Sequence, residues 1–128
     1  MLNEEGMTVK TYADLVAWQK AIDLVLDVYR ATRSFPKEEA YGLTAQVRRA
    51  AVSVPSNIAE GQGRGSTGEF LQFIGHAKGS LFELETQLTI AGRLEYLHET
   101  ELARLLQSCS ELGRIINGLL RSLRKPDH

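Results

Sequence analysis

The chain has 128 residues, enough for one domain with a real core and too few for two comfortable ones. Its 15 Lys+Arg against 16 Asp+Glu give a formal net charge of -1, which sets it apart from strongly basic nucleic-acid binders, and its one cysteine, Cys109, excludes an intrachain disulfide framework and a cysteine-based zinc site. No apolar run approaches the roughly 18 residues of a membrane span, and the opening MLNEEGMTVK has no signal-peptide core, so a soluble cytoplasmic protein is expected.

Apolar residues recur at three- and four-residue steps in four segments, and strand signals are weak throughout. The first segment carries Leu15, Trp18, Ile22, Val25 and Tyr29, widened by a second line through Ala17, Ala21, Leu24 and Val28. Thr11 and Asp14 have capping-box spacing ahead of it, which predicts a helix over about 12–33. Pro36 suits a first helical turn, with Glu38 and Glu39 complementing the helix dipole, and opens a second helix over 37–61 with Leu43, Val47, Ala50, Ala51, Val54 and Ile58 inward. Ser66 and Glu69 repeat the capping-box spacing before a third helix, 66–96, lined by Ile74, Ala77, Leu81, Leu84, Leu88 and Ala91. The fourth, 100–125, runs through Leu102, Leu105, Cys109, Leu112, Ile116, Leu119 and Leu123, and finishes on Arg121, Arg124 and Lys125 before Pro126. Short connections make neighbours antiparallel, so the predicted fold is all-α: one up-down-up-down four-helix bundle spanning 1–128.

Pro55 breaks a local rule. It sits inside the second stripe, where its ring removes a hydrogen bond, collides with the carbonyl of Ala51 and costs on the order of 3 kcal/mol. Either the helix ends near Ser53 and restarts, or it continues with a kink near Pro55; the unbroken line Val47, Ala51, Val54, Ile58 favours the kink. Ser53, Ser56 and Asn57 are the right types to satisfy freed backbone. The cluster either shapes this helix or, with Asn57 and Glu60, forms an assembly or ligand contact.

The stretch VRRAAVSVPSNIAEG resembles the signature of the four-helix bundle family of 23S rRNA intervening-sequence proteins, and YADLVAWQKAIDLV, FPKEEAYGLTAQ and KGSLFELETQL resemble its other blocks in the same order. The resemblance runs from about Tyr12 to Leu97. It implies a small cytosolic bacterial bundle that assembles as a ring-like homopentamer. Members of that family include proteins encoded inside insertions of ribosomal RNA genes, and accessory variability determinants of diversity-generating retroelements that bind nucleic acid and a reverse transcriptase. The resemblance supplies no catalytic residue, and those nucleic-acid-binding relatives are strongly basic where this chain is not.

Other candidate chemistry is thin. Gly63-x-Gly65-x-x-Gly68 matches a dinucleotide fingerprint, but that mechanism needs a preceding strand where a helix is predicted; free amides at the start of the third helix, with Arg64, are what remains for a phosphate. A di-iron bundle site needs a Glu-x-x-His on each of two helices, and the one such pair, Glu95 and His98, falls in a connection. No nucleophile–base set is visible around His76, His98 or His128, and Cys109 reads as a small core residue. No cofactor, metal or small-molecule substrate is therefore expected. Arg114, Arg121 and Lys125 lie within about 40° of one another on the fourth helix, opposite its apolar line; with Arg48, Arg49 and Arg64 they are the candidate polyanion contacts. Gly75, Gly79 and Ser80 allow another helix to approach, and Phe73 lies off the core line, where a neighbouring subunit would meet it. Two functions follow: a non-enzymatic oligomeric scaffold or adaptor, or a nucleic-acid-binding accessory factor.

Overall fold

The computed structural model describes residues 1–124, and Lys125 and the terminal residues after it lie outside that range. Four helices form: α1 (Val16–Thr32), α2 (Leu43–Gly63), α3 (Thr67–Arg93) and α4 (Glu99–Arg124). Each packs on the next and α1 closes on α4, whereas α2 and α4 sit on opposite corners. Contacts between α2 and α3 run in reversed order, as in antiparallel neighbours. Gly61 lies against Phe70 and Phe73, Ser53 bonds Ser80, and Arg48 reaches Thr32.

Three of the four apolar lines point inward as expected. Val47, Ala50, Ala51, Val54 and Ile58 of α2 are buried, with Ile74, Ala77, Leu81, Leu84, Leu88 and Ala91 of α3 and Leu105, Cys109, Leu112, Ile116 and Leu119 of α4. In α1 the order of the two lines is reversed. Ala17, Ala21, Leu24 and Val28 face the core, while Trp18, Ile22 and Val25 are half-buried and Tyr29 is 39% exposed. The alanines let α1 sit close to its neighbours, which leaves the bulky Trp18, Ile22 and Val25 on the shoulder of the helix. Phe35 and Leu97, in the connections, also enter the core.

Helix boundaries differ from the sequence expectation for local reasons. The Thr11–Asp14 capping box is present, but it caps a 3₁₀ turn at Tyr12–Asp14; Leu15 is then extended (ψ 128°) and α1 starts at Val16. Its first turn is capped from outside, because the Glu4 carboxylate accepts from the Ala17 amide. Glu4 is placed by a tight turn around Gly6 (φ +79°), in which Asn3 bonds Met7 and the Asn3 amide reaches the Asp14 carbonyl at 2.7 Å. Pro36 precedes another 3₁₀ turn, Lys37–Glu39, rather than the body of α2. Glu39 accepts from the Leu43 amide at 3.1 Å and from the Tyr96 hydroxyl at 3.0 Å, so it caps α2 and ties the α1–α2 connection to the α3–α4 connection. That carboxylate holds the Tyr96 phenol above its usual range.

α3 begins as expected, with Ser66 accepting from the Glu69 amide, but ends at Arg93. Tyr96 bonds the Ala91 carbonyl and Glu95 that of Gly92, a Schellman arrangement with Glu95 in the left-handed position (φ +66°) where glycine is usual. Glu95→Gly is therefore expected to stabilise the protein by about 0.5–1 kcal/mol, the relieved strain outweighing the added chain entropy. A thermal melt checks this, and an unchanged or lower midpoint would contradict it. α4 starts one residue early because the His98 ring Nδ1 accepts from the Thr100 amide at 3.3 Å.

Candidate interaction surfaces

The helix carrying the signature stretch continues through Pro55, which is buried inside α2. Asn57 donates to the Ser53 carbonyl at 2.8 Å and to its hydroxyl at 2.9 Å, and that hydroxyl also bonds Ser80 of α3. These polar residues hold one another and the α2–α3 seam. The side-chain bond lands on Ser53 and not on Ala51, the carbonyl whose usual donor the proline lacks.

Several expected contacts are engaged within the protomer. Nε of Arg48 donates to Thr32 Oγ1 at 2.8 Å, and its guanidinium lies 4.5 Å from the centre of the Tyr29 ring. Thr32 in turn donates to the Val28 carbonyl, so Arg48 staples α2 to the last turn of α1. Arg64 pairs with Glu60 at 2.9 Å and covers the Phe73 ring at 4.9 Å. Phe73 is half-buried beneath Arg64 and packs where a Gly61 side chain would stand. Arg104 of α4 pairs with both Glu101 and Asp27 of α1.

Arg49, Arg114 and Arg121 are exposed, and none pairs with a carboxylate among the described residues. Arg114 donates to Ser110 Oγ at 3.0 Å. With α2 and α4 on opposite corners, Arg48 and Arg49 are not gathered with Arg114 and Arg121 into one patch. The call on Lys125 lies outside the described residues. Gly75 and Gly79 face outward, where an added Cβ would meet nothing within 4 Å, while Ser80 is turned toward α2.

Two grooves face opposite ways. Between α1 and α2, the tilted ring pair Tyr12–Trp18 (5.2 Å between centroids), Val25, Val52 and Pro55 line one stretch. Tyr29, Tyr41 and Arg49 continue it past Val52. Tyr41 is fully exposed and Val52 is 38% exposed. Between α3 and α4 an open groove of about 930 Å³ is walled by Leu81, Phe82, Ile90 and Leu106, with Cys109 and Gly113 along α4. Sequence reading missed this groove, whose signal was Phe82 and Ile90 lying off the α3 core line. Burial pushes the Cys109 thiol up to about 12, and the Glu85 carboxylate adds to the effect.

Among the described residues no three His, Cys, Asp or Glu side chains are grouped as metal ligands, and no helix is long and apolar enough to cross a membrane. The glycine-rich loop joins helix to helix, and the Glu69 carboxylate already accepts from Ser66 at the start of α3. His98 spends its ring nitrogen on the α4 cap.

These features define a small all-α bundle whose distinctive surfaces are grooves between helices. The family model for 23S rRNA-intervening sequence protein matches residues 13–118, and the chain belongs to that family. Among solved structures it is similar to a protein of unknown function from the S23 ribosomal protein family of Bacteroides thetaiotaomicron VPI-5482. The TM-score is 0.76 at 17% identity, over 83% of this chain and 96% of that one. At that identity the likeness concerns the fold. No curated protein sequence matches the chain.

Proposed function

We propose that this protein is a non-enzymatic scaffold or adaptor of the bacterial cytoplasm that works as a homo-oligomer, with the homopentameric ring implied by its sequence blocks as the expected form. The observation that supports the reading is the α1–α2 groove. It leaves Tyr12, Tyr29, Tyr41 and Val52 exposed beside Arg49, the aromatic, aliphatic and arginine mixture typical of protein interfaces. Contacts in which this groove meets a different face of the next copy are head-to-tail, and such contacts close into rings when the rotation allows. Light scattering on a sizing column tests it. The wild-type mass is expected to be five times the 14.2 kDa protomer, and Tyr41→Glu with Val52→Glu to reduce it to one protomer with an unchanged helical spectrum. A monomeric wild type at micromolar concentration, or a double variant that keeps its mass, would remove the reading.

A second function, nucleic-acid binding alongside a nucleic-acid-processing partner such as a reverse transcriptase, draws its support from the exposed Arg49, Arg114 and Arg121, which form no ion pair among the described residues. Cations that are sparse on one subunit recur around a ring and add up through effective concentration. Titration of structured RNA and duplex DNA against salt decides it. Background affinity at low salt, with no salt slope, ends this reading.

A further inference from the structure

The α3–α4 groove carries charge opposite to that of the chain as a whole. The protein is at -1, yet Lys78, Arg93 and Arg114 line the groove against the single carboxylate of Glu85. None of the three cations is in an ion pair among the described residues; Lys78 lies 5.9 Å from the centre of the Phe82 ring, which it leaves 56% exposed. Lys78 and Arg93 are fifteen residues apart on α3, so cations stand roughly 22 Å from one another along an apolar floor. That is the length of about four helical turns. The walls are aliphatic and aromatic, Leu81, Phe82, Ile90 and Leu106, which suit an apolar stripe better than a phosphate chain.

We infer that the α3–α4 groove docks an amphipathic helix of a partner protein, about fifteen to eighteen residues long, whose apolar stripe is flanked by acidic side chains. The apolar stripe enters between Phe82, Ile90 and Leu106, and the acidic flanks meet Lys78, Arg93 and Arg114. Gly113 keeps the α4 wall low: an added Cβ there would touch only Leu81 Cδ2, at 3.7 Å. This rests on the adaptor half of the proposed function and not on its assembly half.

The test uses the full chain and a designed fluorescent 18-residue peptide, with leucines at helical spacing flanked by glutamates. A lysine-flanked version and a scrambled one serve as controls. The glutamate peptide is expected to bind at least tenfold more tightly than either control and to weaken between about 50 and 300 mM salt. Gly113→Leu, which fills the groove, and the charge reversal Arg93→Glu/Arg114→Glu are each expected to weaken it at least tenfold, the latter turning preference toward the lysine peptide. Helical spectrum and mass are measured on each variant. Equal binding of the glutamate and lysine peptides, or undiminished binding to folded Gly113→Leu, would overturn the inference. So would a Gly113→Leu variant that loses oligomer mass while peptide binding is absent throughout, since the groove would then be a contact between copies. Peptide binding by a monomeric protein would sink the assembly reading alone.

Discussion

Gly61→Val is expected to lower the melting midpoint by about 10 °C or more. A Cβ at this position would stand 2.6 Å from Phe73 Cβ and 3.2 Å from Phe70 Cδ1. Phe73 Cβ is fixed to the α3 backbone, so no rotamer change relieves the clash and α2 must move away from α3. Overpacking of this kind costs about 1–3 kcal/mol and sometimes more, and a β-branched residue adds two further atoms to it. The better helix propensity of any residue over glycine recovers at most about 1 kcal/mol. Gly61→Ala should fall between wild type and Gly61→Val. The control is Gly75→Ala on α3, where the added methyl meets open space and propensity alone should raise the midpoint. A Gly61→Val protein as stable as wild type would mean that the α2–α3 ends do not meet as described.

Cys109 is expected to resist thiol reagents in the folded protein by more than about 1,000-fold relative to a free cysteine near pH 8. The thiolate is the reacting species, and a thiol pushed up to about 12 holds only roughly one part in ten thousand of it there, against a sizeable share for an ordinary thiol near 8.5. Complete burial adds a steric term. One thiol per chain should react promptly once denaturant unfolds the bundle. Full labelling within minutes under native conditions would show that α3 and α4 part often enough to admit the reagent, and the groove above Cys109 would then be mobile rather than preformed.

How much of this was legible in the sequence depends on how local each feature is. The inward lines of α2, α3 and α4 follow from one helix's own periodicity, and so do the Ser66 cap and the passage of α2 through Pro55. α1 offered two adjacent lines, and which one leads depends on how close its neighbours come, which no single segment states. The starts of α1 and α2 were misjudged because valid capping signals served 3₁₀ turns: Leu15 turns the chain extended, and the cap of α1 comes from Glu4, thirteen residues before Ala17. The cations show the same limit. Arg114 and Arg121 were correctly placed on an exposed face, but Arg48 is consumed by Thr32 and Tyr29, residues of another helix. Phe73 lies off the core line as its spacing requires, yet Arg64 and Gly61 turn that position into an intramolecular contact. A groove between two helices depends on their mutual placement, so Phe82 and Ile90 lying off the α3 core line marked two uncovered positions without showing what they line.

The two outward glycines of α3 bear on the order in which the chain assembles. Twenty-seven residues containing Gly75 and Gly79 form a helix that its own sequence supports poorly, since each glycine costs about 0.8–1 kcal/mol relative to alanine. On a ribosome α3 emerges before α4, with only the earlier helices to lean against. Its far side stays uncovered until Leu105, Cys109 and Leu112 arrive, so α3 first leans on α2, the helix it packs against most extensively, and α4 then closes the core over it.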